Sequence, residues 1–183
     1  MDEEQLDQDA VQRCRAGDLD AFGSLVDRYE RPVFNTILHM VGDAEDAREI
    51  CQQVFTKAFE HLSSYDCARR FFSWIYRIAV NESINHLHSR HRHQPLDDNL
   101  AQRLPNPAEA FEDLERSAHL HQAILRLNEN YRAVIILHHF LHLSYSEIAE
   151  VQHLAEKTVK SRLFSARQLL RQAMEARGHE RAS

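Results

Sequence analysis

The sequence predicts an all-α protein: two small helical domains joined by a flexible linker, the C-terminal one a helix-turn-helix. Three observations carry that prediction. Four glycines and four prolines in 183 residues are too few for the turns of a β protein, while Leu, Ala, Glu, Gln and Arg, all good helix formers, dominate. Apolar residues recur at three- and four-residue spacing along most of the chain. That periodicity lapses between His93 and Ala108, where Pro95, Asp97, Asp98, Asn99, Pro105, Asn106 and Pro107 supply turn and linker chemistry. The division is therefore a first domain at 1–93, a linker at 94–108, a second domain at 109–177 and a disordered tail at 178–183.

Taken in order, residues 1 to 8 read as frayed, and Ala10, Val11 and Cys14 make a short helix ending at Gly17. Asp18 or Asp20 can cap a longer helix carrying Phe22, Leu25, Val26, Tyr29, Val33, Phe34, Ile37 and Leu38, with Pro32 as a point of bending. Gly42 closes it and Asp43 caps the next, whose stripe is Ala47, Ile50, Cys51, Val54, Phe55, Ala58, Phe59 and Leu62. Ser63 to Arg70 has no periodicity and reads as a loop. From Phe71 to His93 a helix interleaves aromatic residues, arginines and histidines.

Beyond the linker, Phe111, Leu114, Ala118, His121, Ile124, Leu125 and Leu127 mark one helix, and Tyr131, Val134, Ile135, Leu137, His138 and Leu141 a second. Ser144 or Ser146 then caps a short helix with Ile148, Ala149 and Val151 turned inward. A turn around Gln152 to Leu154 leads to a longer helix whose core stripe is Val159, Leu163, Ala166, Leu170 and Ala173. Lys157, Lys160, Ser161, Phe164 and Ser165 lie largely off that stripe, where they can reach phosphates and base edges in a major groove. Taken alone, the pair is equally an amphipathic hairpin with a solvated charged face.

The formal net charge of −6 opposes nucleic acid as a partner, but it is unevenly placed. Residues 1–30 carry nine acids against three bases, and 69–93 carry five arginines against one acid. Cys14, Cys51 and Cys67 are odd in number and far apart, which implies reduced thiols and a cytoplasmic setting. The acidic start and the lack of an apolar run of ~20 residues predict a soluble chain without membrane insertion.

Three stretches together resemble one family: D-A-R-E-I-C-Q-Q-V-F at 46–55, F-F-S-W-I-Y-R-I-A-V-N at 71–81, and E-I-A-E-V with T-V-K-S-R-L-F-S-A-R at 147–151 and 158–167. In this order and spacing the chain resembles a bacterial RNA polymerase sigma factor of the small, extracytoplasmic-function (ECF) type, from about Ala10 to Arg171. The resemblance implies a region 2-like first domain that binds core polymerase and melts the minus-10 element, and a region 4-like second domain that reads the minus-35 element. It assigns the polymerase contact to Asp46, Glu49, Gln52 and Gln53, with departures from the usual acids at Arg48 and Gln53. The minus-10 contact falls on Tyr65, Arg69, Arg70, Phe71, Phe72, Trp74, Arg77, Asn81, Arg90 and Arg92.

Opening DNA costs ~1.4 kcal/mol per stacked step. Stacking one base on an aromatic ring returns ~1–3 kcal/mol, which holds one or two bases out of the duplex. Asn81 can pair with a base edge, the arginines neutralise phosphates, and Phe71 or Trp74 is expected to be at least half buried. The minus-35 contact falls on Lys157, Thr158, Lys160, Ser161, Arg162, Phe164 and Ser165. The family commonly has arginine where Ser165 stands and glycine where His153 stands, the latter costly if φ is positive there. Promoter DNA, core polymerase and an anti-sigma factor are the implied partners, with a monomer as the free form.

Two other classes stay in view: a stand-alone helix-turn-helix regulator with an N-terminal sensing or dimerisation half, and a helical adaptor binding proteins through 43–62. The thirteen histidines raise a metal hypothesis through His86, His88, His91 and His93, and through His138 and His142 at i, i+4, but no carboxylate or cysteine accompanies them at ligand spacing. No glycine loop for phosphate, nucleophile elbow or paired acids is present, so neither an enzyme nor a cofactor is expected.

Overall fold

The computed structural model describes residues 3–93 and 111–180. The first half comprises α1 (Glu3–Arg15), α2 (Asp20–Val41), α3 (Ala44–His61), a 3₁₀ turn at Leu62–Ser64 and α4 (Phe71–His93). The second comprises α5 (Phe111–Leu125), α6 (Glu129–His139), α7 (Tyr145–Gln152) and α8 (Glu156–Glu180). The predicted linker at 94–108 lies outside the described residues.

Most boundaries have local causes. Gly42 (φ 79°) closes α2 with its N–H on the Leu38 carbonyl, and the Asp43 carboxylate then accepts from the N–H groups of Glu45 and Asp46. Ser144 caps α7 in a reciprocal box with Glu147. α7 ends on His153 at φ 53°, with Leu154 N–H on the Ala149 carbonyl at 3.0 Å, so a histidine occupies the left-handed position that favours glycine.

Four expectations are corrected. Residues 3–8 are helical rather than frayed, because the buried Asp7 carboxylate accepts from the Tyr29 hydroxyl at 2.6 Å and pairs with Arg28, pinning α1 to α2. Leu19, not Asp18 or Asp20, stands at the cap position of α2 and makes no side-chain bond; the Asp18 carboxylate one residue earlier pairs with Arg13 at 2.6 Å and also accepts from the N–H groups of Ala21 and Asp20. Residues 178–180 continue α8, since extending an existing helix past one glycine costs far less than nucleating one; 181–183 lie outside the described residues. His138 and His142 do not share a helical face, because α6 stops at His139 and His142 has φ 54°.

The halves are packed against each other. In α6, Arg132, Ala133, Val134, Ile135, Ile136 and Leu137 are all buried, leaving this stretch no solvent face. A helix apolar all round must be covered on both sides. One side meets α8 and α7, the other α2 and α4 of the first half. Phe71, Ile75, Tyr76, Ala79 and Val80 of α4 share one buried core with the α2 and α3 stripes.

Candidate nucleic-acid and polymerase interfaces

On α3, Glu49, Gln52 and Gln53 are exposed, and Gln53 Nε2 donates to Glu49 Oε1 at 3.1 Å. Asp46 is different: its Oδ2 lies 2.9 Å from Arg90 Nη1 and 3.1 Å from His86 Nε2, so it already holds α4 to α3. Beside this face a groove of about 860 Å³ runs between α2 and α3, lined by Phe22, Phe34, Phe55 and Phe59 with Arg31 and Arg48 among its polar neighbours.

The aromatic cluster at the start of α4 divides into an inner and an outer set. Tyr65 (4% exposed) and Phe71 (1%) are inner: their rings are 5.8 Å apart, and the Tyr65 hydroxyl is tied to the Arg69 carbonyl. Burial pushes the Tyr65 phenol up. These two rings are core as placed and cannot stack a base. Trp74 and Phe72 are part-buried and outer, Trp74 backed by Tyr65 at 4.9 Å and Phe72 by Tyr76 at 4.5 Å. Asn81 is exposed on the α4 surface. Sequence reasoning missed Arg15, whose Nε donates to the Leu62 carbonyl at 3.0 Å and whose guanidinium also takes the Tyr65 carbonyl, holding the loop before α4.

The arginines are largely engaged. Arg69 is 3.6 Å from Asp66; Arg70 is 3.0 Å from Glu147 of α7 and 3.6 Å from Glu4. Arg77 donates to the Val151 and Glu150 carbonyls in the last turn of α7, at 3.3 and 3.4 Å. A cation there meets the negative end of the helix dipole. Burial, then the neighbouring Arg69, holds the Arg77 guanidinium below its ordinary range. The Arg92 side chain lies outside the described residues.

On α8, Val159, Leu163 and Ala166 are buried while Lys157, Lys160, Ser161 and Phe164 are exposed, Phe164 at 65%. Thr158, Arg162 and Ser165 are half-buried, and Arg162 Nη1 reaches Gln152 Oε1 at 3.4 Å. Lys160 is paired with Glu156 at 2.8 Å, a bond exposed enough to exchange for phosphate. This is the free face of the second helix of a helix-turn-helix.

Among the described residues no three or more His, Cys, Asp and Glu converge as metal ligands. His86 and His88 turn to carboxylates, Asp46 at 3.1 Å and Glu129 at 3.7 Å, and His138 Nδ1 bonds the Leu143 carbonyl at 2.8 Å.

Residues 25–93 match the family model described as Sigma-70 region 2, and residues 118–170 that described as Sigma-70, region 4. The chain belongs to the sigma-70 family. This sigma factor is similar, at 34% identity, to the RNA polymerase sigma-H factor of Pseudomonas aeruginosa, with 94% of this chain and 95% of the relative covered. It is 32% identical to the ECF RNA polymerase sigma factor SigW of Bacillus subtilis, covering 90% and 94%. The same fold is found in CnrH bound to the cytosolic domain of CnrY: TM-score 0.71, 23% identity, 93% of this chain and 98% of that one. It recurs in the sigma factor RpoE of Bartonella quintana bound to the anti-sigma factor NepR: TM-score 0.70, 19% identity, 84% and 96%. Among the described residues, no helix of the sigma factor is long and apolar enough to cross a membrane.

Proposed function

We propose that this sigma factor directs core RNA polymerase to specific promoters, α3 docking on the polymerase, α4 capturing the melted minus-10 strand and α8 reading the minus-35 duplex. The observation that carries this is the occurrence of regions 2 and 4 in order in one chain, with α8 offering an exposed cationic and aromatic face. It acts on DNA in the cytoplasm as a non-enzymatic initiation factor. Because 25–93 is itself region 2, a separate sensing or dimerisation domain in the first half has no support.

On the polymerase side, Glu49, Gln52 and Gln53 are the proposed polar contacts, and the neighbouring groove adds apolar area; Asp46 supports α4 and joins the contact only by leaving Arg90. On the minus-10 side, Trp74, Phe72 and Asn81 face outward to meet bases, backed by Tyr65 and Phe71, with Arg69, Arg70, Arg77, Arg90 and Arg92 for phosphates. Lys157, Thr158, Lys160, Ser161, Arg162, Phe164 and Ser165 are the proposed minus-35 set. Domain bounds are proposed at 1–93 and 109–177. Since CnrH and RpoE are each held by a partner in the solved neighbours, an anti-sigma factor is proposed here too, over the α2–α3 groove.

Run-off transcription from genomic fragments by core polymerase, with and without the protein, tests the function. New promoter-dependent transcripts are expected, and their absence overturns it. Trp74→Ala is expected to leave polymerase binding intact and to cut open-complex formation about tenfold, the equivalent of one lost stack. Unchanged permanganate reactivity of promoter thymines would remove Trp74 from the site.

A further inference from the structure

The seam between the halves has two features that the promoter-reading role does not require. The first is what it covers. α7 lies across α4, with Arg70 on Glu147 and Arg77 on the last carbonyls of α7, so two of the proposed phosphate contacts are occupied by the chain itself. In this arrangement the minus-10 helix and the first helix of the helix-turn-helix occupy each other's approach to DNA.

The second feature is a pair of half-buried imidazoles, one from each half. His39 of α2 and His121 of α5 have ring centroids 5.2 Å apart, and His39 stacks at 4.1 Å on Phe140, just past the end of α6. Nδ1 of His39 and Nε2 of His121 are buried, and neither makes a hydrogen bond among the described residues. His39 feels the charge of His121, and His121 that of Arg132 of α6, which is bonded to the Met40 carbonyl next to His39. The charged groups that other elements bring to α2 and its surroundings sit elsewhere: Asp7 of α1 meets Arg28 and Tyr29, His86 and Arg90 of α4 meet Asp46 of α3, and Arg167 of α8 meets His139 at 3.4 Å. A proton on either ring therefore adds positive charge beside a buried guanidinium, with no carboxylate bonded to the ring among the described residues.

We propose that the docked arrangement is a self-masking state of the free chain, and that acid opens it through the His39–His121 pair. The masking rests on the assignment of α4 to promoter DNA; the acid response does not. Burial, then His121, lowers His39 from 6.5 to about 4, and burial, then Arg132, lowers His121 in the same direction. Protons thus bind the undocked form more tightly. The seam keeps its full strength above 6.5 and weakens as pH falls from there toward 4. His39 alone raises the open-to-closed ratio about tenfold between pH 7.5 and pH 5.5, and His121 adds to it. His139 beside Arg167 and His153 beside Arg77 and Arg69 are lowered in the same direction by burial and those cations, but both side chains are exposed and their share is small.

The test is single-molecule energy transfer between dyes on Glu60→Cys and Glu175→Cys, with Cys67→Ser, in the full chain at pH 7.5 and 5.5. Expected is a dominant compact population at pH 7.5 and a rise of about tenfold or more in the open-to-closed ratio at pH 5.5. His39→Leu with His121→Leu should hold that ratio within twofold, with helix content unchanged by circular dichroism. A dominant open population at pH 7.5 overturns the masking; an unchanged ratio in the parent, or an equal rise in the double variant, overturns the histidine role. Run-off transcription on the same preparation separates the two readings. Initiation without the compact state removes the inference alone, and a compact, acid-labile chain that never supports initiation removes the proposed promoter role and leaves the acid-sensitive seam.

Discussion

Arg132 of α6 donates to the main-chain carbonyl of Met40, binding the second half of the molecule to the last turn of α2. The same guanidinium takes the carbonyls of Leu125 and Leu127 where α5 ends. The last four carbonyls of a helix have no partner within it, and two such ends bring negative partial charge to one point. A cation is the natural group to place there. Burial, opposed by the charge of Glu129, lowers Arg132 to about 10, so it remains charged at neutral pH, and among the described residues no carboxylate is bonded to it.

Arg132→Met should therefore weaken both the fold and the docking. It orphans three carbonyls near the seam, for a loss of ~1–3 kcal/mol in urea denaturation. Arg132→Lys is expected to rescue less than half, because a single ammonium cannot span the fork. Equal stability of parent and Met variant would show that water replaces the guanidinium there.

Glu147→Gln separates docking from capping. Glutamine can still close the box with Ser144, but the charge facing Arg70 is gone. At present the Ser144 N–H and hydroxyl, followed by Arg70, hold the Glu147 carboxyl below its usual range. The pair is part-exposed, so stability should fall by less than ~1 kcal/mol. Freed Arg70 should tighten binding of the chain to a labelled 30-nucleotide single strand and steepen its salt dependence by about one phosphate. An unchanged salt slope refutes the engagement of Arg70.

Phe164→Ala should act on DNA and not on the fold. The ring is 65% exposed, so the melting temperature should move by no more than about 1 °C. Upstream-element binding by the polymerase complex is expected to drop about fivefold to a hundredfold, the value of one lost base contact, in a footprint titration. A fall in melting temperature without loss of footprint would place the ring in the core.

His153→Gly should stabilise the chain. The position has φ 53° and its side chain is exposed, so glycine relieves backbone strain and forfeits little packing. The expected gain is ~0.5–1 kcal/mol, with unchanged or weaker docking of Arg77 onto the end of α7. A destabilised variant would mean that the imidazole makes a contact outweighing the strain.

Most elements could be read from the chain because their causes are local. Gly42, Asp43 and the Ser144–Glu147 box each act within a few residues, and the stripes of α3 and α8 announce a buried face by period, Phe59 and Ala173 excepted, which are exposed. The start of α1 was not legible, since Asp7 needs Tyr29 and Arg28 from another helix to become an anchor. The site was legible in part. Aromatic spacing marked the cluster at 65–76, but which rings face out depends on packing: Tyr65 and Phe71 go inward while Trp74 and Phe72 stay near the surface.

By itself the sequence determined most of the helices, the caps at Gly42, Asp43 and Ser144, and the family, all of which rest on patterns a few turns long or on motifs matched in order. The closure of one half on the other was decided only by tertiary structure. One trace of it is visible in the chain, the run from Ala133 to Leu137 with no polar face, which says that α6 is covered twice but not by what. The partners across that seam, Met40 for Arg132 and His39 for His121, come from residues far apart in the chain. Their attraction exists only after the helices that carry them have folded and presented buried carbonyls and rings at the same point.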